Sequence, residues 1–354
     1  MTGEIMTDSA SATRQSVDAV IEDYFADRVR RASSLGTHAV QLWRRAADSA
    51  RGGKGLRPRL VLLAHDELGG CDRDGATVTA AAFEILHTAL LLHDDVLDGD
   101  VVRRGRPNLI GEFVRDATNR GADPRRATAW GAASGLLAGD LLLSAVHTLL
   151  ARIDGPARSE LHDIVDDALL LTAVGEHADI GLALGILDAR VPDIRRMTEL
   201  KTASYSFAAP LRAGAALAGA DRATQDALSE IGIQLGFLYQ LRDDMLGVFG
   251  AEDRTGKSVR GDLREGKRTL LIAFAAPEPE WQEVAHLFGR RSLSAQEAGL
   301  LRAALVACGA ARAVEDVITV HLAQLERTIA SARLPDGLAR ALREIARLCA
   351  ERGA

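Results

Sequence analysis

Two short acidic clusters are the residues best placed to do chemistry. The first is Leu92-His93-Asp94-Asp95-Val96-Leu97-Asp98. Residues four apart on an α-helix lie nearly above one another, so Asp94 and Asp98 share a face with Asp95 close beside them. The second is Gln240-Leu241-Arg242-Asp243-Asp244-Met245-Leu246-Gly247. Each cluster closes an otherwise apolar helical stretch. Like charges crowd one another there, and a helix C-terminus repels anions further, so divalent or facing cations are needed. In the second cluster, oxygen donors without a nearby His or Cys suit Mg²⁺, which keeps several waters and shares phosphate oxygens.

A solvated helix end would explain either cluster alone, but both are followed by cationic, glycine-bearing turns. Arg103-Arg104-Gly105-Arg106-Pro107 follows the first; Thr255-Gly256-Lys257-Ser258 and Asp262-Leu263-Arg264-Glu265-Gly266-Lys267 follow the second. Gly53-Lys54-Gly55-Leu56-Arg57-Pro58 lies near the N-terminus and Lys201-Thr202 mid-chain. Arginine forks and lysine point charges are the usual partners of phosphate oxygens, so the combination points to metal and diphosphate. Gly256-Lys257-Ser258 is not the end of a P-loop. The earlier glycine would fall at position 251, which is Ala251, and the segment follows a helical rather than a strand pattern.

The chain that must position these groups has 354 residues, 47% hydrophobic and 26% charged. A net charge of -6 argues against non-specific nucleic-acid binding, and it requires that an anionic substrate be met by local cations or metal. Few aromatics and only nine prolines favour helices over strands. Cys71, Cys308 and Cys349 form no CxxC pair, which fits a reducing cytoplasm without zinc or disulfides. No stretch reaches the ~18 uninterrupted apolar residues of a membrane span. Residues 1–14 read as a flexible tail without the apolar core of a signal peptide, and 15–354 as one domain. Helical spacing is expected from Ser16 to Ala50, from about Ala76 to Asp98, and near 125–153, 159–184, 192–218 and 223–249, with Thr224 and Ser294 as N-caps and Pro192 in a first turn. Arg103–Asn108 reads as a polar loop, as does the Pro-Glu-Pro at 277–279. With no strand pattern, one large helical bundle is the simplest architecture.

These motifs resemble the trans-polyprenyl diphosphate synthases, over nearly all of the chain from Ser16. The first aspartate-rich motif is matched by Asp94, Asp95 and Asp98 with Arg103-Arg104-Gly105. The second is matched around Gln240, Asp243 and Asp244, followed by Thr255-Gly256-Lys257 and Glu265-Gly266-Lys267. The resemblance implies an all-α fold of isoprenoid synthase type, with a deep central cavity and the acidic motifs facing each other at its mouth. It implies a catalytic set of Asp94, Asp95, Asp98, Lys201, Thr202, Gln240 and Asp243, with Asp94, Asp98 and Asp243 as Mg²⁺ ligands. Arg103, Lys201, Lys257 and Lys267 would hold an allylic diphosphate. Lys54, Arg57, His87 and Arg104 would hold isopentenyl diphosphate, and Thr202 and Gln240 would line the reacting region. A homodimer is also implied. The chain departs from the pattern twice: the third aspartate of the second motif is Gly247, and a mid-chain glutamine is Glu176, with Asp179 matching.

The implied reaction ionises the allylic C–O bond, adds the alkene of isopentenyl diphosphate and releases a proton. Ala89 and Leu90, just before Asp94, lack the bulk that would stop a growing chain early; Phe83, Leu86, Leu143 and His147 would set the floor. The expectation is C20, geranylgeranyl diphosphate, with C15 and C25 or longer as alternatives. A class I terpene cyclase needs one diphosphate pocket, whereas Lys54, Arg57 and His87 argue for a second. A non-catalytic subunit would tolerate loss of the acidic motifs, most of which are present.

Overall fold

The computed structural model describes residues 2–103, 105–250 and 261–351, with side chains from Arg14 onward. Arg104 and Lys257 lie outside the described residues. The fold is all-α. Its helices are α1 (Thr2–Ala32), α2 (Thr37–Ser49), α3 (Leu56–Glu67), α4 (Arg73–Asp98), α5 (Leu109–Asn119), α6 (Pro124–Leu150), α7 (Ala157–Ala183), α8 (Val191–Thr198), α9 (Ala209–Leu217), α10 (Arg222–Phe249), α11 (Gly261–Glu265), α12 (Leu270–Ala275), α13 (Pro279–Val284), α14 (Ala295–Ala307), α15 (Ala310–Ser331) and α16 (Asp336–Glu351). Between α8 and α9 the chain widens into a π-helix, Glu199–Ala208.

By internal packing the chain divides into two compact units. The first comprises residues 1–163 and 213–219, the second residues 164–212 and 220–354.

In the first unit α4 is the central element. Asp72 caps it by accepting from the Gly75 amide at 2.8 Å, and Gly99 closes it in the left-handed conformation. Its Phe83, Ile85, Leu86 and Ala89 are fully buried, and each large apolar side chain so placed contributes roughly 1.5–3 kcal/mol. Length and composition alone would let α4 and α6 cross a membrane. The apolar stretch of α4 is mostly buried within the protein, whereas that of α6 is only half buried.

In the second unit the long α10 is capped by Asp221, which accepts from the Thr224 amide at 2.8 Å; the cap therefore falls on Asp221 and not on the expected Thr224. Small residues let neighbouring backbones close on the π-helix. A Cβ at Gly236 would collide with Ala203, one at Gly232 with Ala208, and one at Gly175 of α7 with the Lys201 backbone. Arg242 locks the rotation of α10. It forks onto Glu315 of α15 at 2.6 and 2.9 Å and donates from Nε to the Ala350 carbonyl of α16 at 2.7 Å.

Several local expectations change. α1 begins at Thr2, ahead of Ser16. The helix expected through Ala50 breaks at Gly36, whose φ of 109° no helical residue adopts. The polar loop after Asp98 is a tight hairpin, in which β1 (Val102–Arg103) pairs antiparallel with β2 (Arg106–Pro107) in the register Val102↔Pro107. Pro279 opens α13 instead of extending a loop. Pro192 does lie in the first turn of α8, and Ser294 caps α14 in a full capping box with Glu297.

Candidate active site

The first unit assembles one set of charged groups on the last turns of α4. Asp94 and Asp98 are half-buried, one helical turn apart. Asp95 turns inward and is only 2% exposed. The hairpin swings Arg103 back onto it: Nε donates to Asp95 Oδ1 at 3.0 Å and Nη2 at 2.5 Å, while Nη2 also reaches Asp94 Oδ2 at 3.4 Å. Burial raises the Asp95 carboxyl above its ordinary range, against the downward pull of Arg103. Arg103 therefore braces the acidic turn of the helix, a contact the sequence pattern did not show.

On the same helix, His87 and Leu90 are half-buried and Ala89 is fully buried. On α6, Leu143 is half-buried, and the His147 ring stacks on His162 of α7 with centroids 5.4 Å apart. Lys54 and Arg57 flank the start of α3, Lys54 exposed and Arg57 half-buried. Their turn is held close to α4, because a Cβ at Gly53 would strike the Glu84 carboxylate.

The second unit assembles another set. Thr202 Oγ1 donates to Gln240 Oε1 at 3.1 Å, and Gln240 Nε2 donates to Asp244 Oδ1 at 2.7 Å. Lys201 leaves the same π-helix to meet Asp179 at 2.6 Å and Glu176 at 2.9 and 3.1 Å. A π-helical turn redirects side chains relative to an α-helix and is frequent at functional sites. Lys267 is half-buried and pairs with Glu265 at 3.1 Å.

Part of the Asp244 surface is open, yet its carboxyl lies deep among protein atoms. Burial pushes it well above the usual carboxylate range. The Gln240 bond opposes this, while Asp262, Asp243 and Asp179 push it further. So strong an anionic cluster fits a divalent cation, and its donors are all oxygens, the set Mg²⁺ prefers. Among the described residues no group of three His, Cys, Asp or Glu side chains is placed to hold a metal ion by itself.

In the sequence Asp262 belongs to a cationic loop; in the fold it approaches the second acidic cluster. A Cβ at Gly247 would overlap Asp262 Oδ2. The space left by the missing third aspartate is thus taken by a carboxylate from α11. Gly247→Asp, which restores the motif, is expected to harm the site by crowding a further anion against Asp262 and Asp244. The metal-free variant should be destabilised by about 1–3 kcal/mol, with partial recovery on adding Mg²⁺ and pyrophosphate. Calorimetric melting checks this, and a variant as stable as the wild type without metal would count against the overlap.

Comparison with known proteins bears on this arrangement. Residues 41–303 match the family model for polyprenyl synthetase. The chain belongs to the polyprenyl synthetase family. It is a prenyltransferase of the trans-prenyl diphosphate synthase type. Among its relatives, the geranylfarnesyl diphosphate synthase of Aeropyrum pernix is 32% identical over 296 residues, 82% of this chain and 83% of that protein. The geranylgeranyl diphosphate synthase of Sulfolobus acidocaldarius is 30% identical over 289 residues, 80% of this chain and 79% of that protein. A geranylgeranyl pyrophosphate synthase from Corynebacterium glutamicum, solved with isoprenyl diphosphate and magnesium, superposes with a TM-score of 0.89 at 25% identity, covering 96% of this chain and 98% of that one. The names of these polyprenyl synthetases differ in product, so family membership fixes the reaction type and leaves chain length to the residues of this chain.

Proposed function

We propose that this enzyme elongates an allylic diphosphate with isopentenyl diphosphate to a linear all-trans product of C20, geranylgeranyl diphosphate. The observation that carries the reading is the interleaving of charge in the second unit. Lys201 sits against Glu176 and Asp179, and Thr202 connects through Gln240 to Asp244. A magnesium diphosphate satisfies both signs at once.

In this reading Asp94, Asp98 and Asp243 hold Mg²⁺, with Asp244 and Asp262 supporting Asp243. When bound, Mg²⁺ supplies Lewis-acid stabilisation of charge on the departing diphosphate. Arg103, Lys201, Lys257 and Lys267 bind that diphosphate, and Arg103 also fixes Asp94 and Asp95. Lys54, Arg57, His87 and Arg104 orient isopentenyl diphosphate. The allylic C–O bond breaks with its electron pair going to diphosphate. The alkene pair of isopentenyl diphosphate then forms the new C–C bond, and the proton lost from the adjacent carbon passes to the released diphosphate. Thr202 and Gln240 line the reacting centre, and the protein's contribution is preorganised charge and orientation.

Product length is assigned to the face of α4 preceding Asp94. Leu90 lies one turn before Asp94 and is half-buried, whereas Ala89 is enclosed. Leu90→Phe is expected to shift the main product from C20 to C15, read by chromatography of the dephosphorylated products. Ala89→Phe should do the same at a greater cost in stability, because an aromatic must displace packed core. Unchanged chain length in both variants would contradict this assignment.

We also propose one catalytic domain over residues 15–354, acting as a homodimer in the cytoplasm. Support for a second copy comes from α6, where Trp130, Leu136, Leu137 and Leu141 are exposed together, an apolar stripe of the kind that marks an interface. Cys71, Cys308 and Cys349 are widely spaced and form no CxxC pair, which suits a reducing compartment.

A further inference from the structure

Lys201 is held more firmly than one ammonium group requires. Its Nζ lies 2.6 Å from Asp179 Oδ2, and both Glu176 oxygens approach it, at 2.9 and 3.1 Å. All three side chains are largely screened from solvent, with 20%, 14% and 19% of Lys201, Asp179 and Glu176 exposed. α7 packs directly on the backbone under Lys201, so closely that a Cβ at Gly175 would strike the Lys201 amide. The long Lys201 side chain can still turn its ammonium through its own torsions.

Asp179 alone neutralises the ammonium, and a neutral amide at 176 could still accept a hydrogen bond from it. The second carboxylate adds net negative charge where a diphosphate must compete for the same cation.

We infer that Glu176 is a positioning residue that draws Lys201 away from the allylic diphosphate and so sets how tightly the enzyme holds the headgroup of substrate and elongated product. This rests on the reading of Lys201 as a diphosphate contact. The elongated product carries the same headgroup as the primer, so a grip weakened by Glu176 eases release after addition at the expense of primer affinity. The attraction between Glu176 and Lys201 must be given up when the ammonium turns to the diphosphate, and an isosteric Glu176→Gln removes most of that loss.

The test uses the full-length protein, with inorganic pyrophosphate and Mg²⁺ as the calorimetric probe and steady-state kinetics alongside. Glu176→Gln should tighten pyrophosphate binding about fivefold, the size expected for one partly exposed ion pair. It should lower KM for farnesyl diphosphate by a similar factor and leave KM for isopentenyl diphosphate unchanged. Glu176→Ala should tighten binding in the same direction, which separates the charge effect from any packing defect. Lys201→Met should weaken pyrophosphate binding, and adding Glu176→Gln to Lys201→Met should then change nothing. If Lys201→Met weakens binding while Glu176→Gln leaves it unchanged or weaker, the inference fails and the reading of Lys201 stands. If Lys201→Met has no effect on binding, both fail. If Glu176→Gln tightens binding equally in the Lys201→Met background, the effect does not run through Lys201, and the positioning role is overturned.

Discussion

Replacing Asp243 by Asn is expected to lower kcat on the order of 10²–10³-fold, the usual loss when one group that stabilises transition-state charge is removed. Asp98→Asn should behave similarly from the first unit. The Mg²⁺ concentration giving half-maximal rate should rise in both. Stability should respond in the opposite direction for Asp243→Asn. Asp243 is one of the carboxylates that push Asp244 up, so removing its charge relieves repulsion in the metal-free protein. The variant should therefore melt no lower than the wild type before metal is added. Initial rates across a Mg²⁺ titration, paired with melting curves in chelator, measure both effects. Rates within a few-fold of wild type at unchanged metal dependence would remove Asp243 from the metal site.

Arg103→Ala is expected to cost about 3 kcal/mol of stability, because it strands a buried carboxylate. Asp95 is 2% exposed and takes two bonds from the guanidinium. Arg103→Lys should recover only part of the loss, since a point charge cannot reproduce the fork. The double variant Arg103→Ala/Asp95→Asn should be more stable than Arg103→Ala alone, because no buried charge is then left unpaired. The sign of the pH dependence follows from Asp95. Its carboxyl is already raised by burial, and loss of Arg103 raises it further. A group whose folded pKa lies above its unfolded value binds a proton more readily when folded, so the variant regains stability as pH falls and loses most at high pH. Chemical denaturation at several pH values reads this. An Arg103→Ala protein as stable as the wild type at pH 8 would show that the hairpin does not brace α4.

The helical class was legible because apolar spacing, few prolines and clear caps all agree. Ser294 with Glu297, and Pro192 in a first turn, are local signals read over a few residues, and they appear where expected. The break at Gly36 had a local signal too, since Ser33, Ser34 and Gly36 interrupt the pattern, but apolar spacing on both sides masked it. The π-helix had none. Glu199–Ala208 has the composition of an ordinary helix, and its widening goes with the glycine contacts from α7 and α10.

Within the site, residue types at motif spacing could be read from the chain, but the partners they choose could not. Nothing in Arg103-Arg104-Gly105 says that the pairing of β1 with β2 returns Arg103 to Asp95. Gly247 reads in one dimension as a lost ligand. In three dimensions its missing side chain admits Asp262, fifteen positions further along the chain. Glu176 reads only as a departure from a family glutamine, with no partner indicated, whereas it lies against Lys201, twenty-five residues away. Such pairings depend on tertiary approach, which periodicity does not encode.

Central to this account is linear elongation to C20. The most direct measurement supplies purified enzyme with Mg²⁺, farnesyl diphosphate and labelled isopentenyl diphosphate, then separates the dephosphorylated products by length. One addition, giving labelled geranylgeraniol as the main species and none in excess chelator, is the predicted result. Label absent from any prenyl alcohol, label in a cyclic hydrocarbon, or chains running predominantly to C25 and beyond would contradict it.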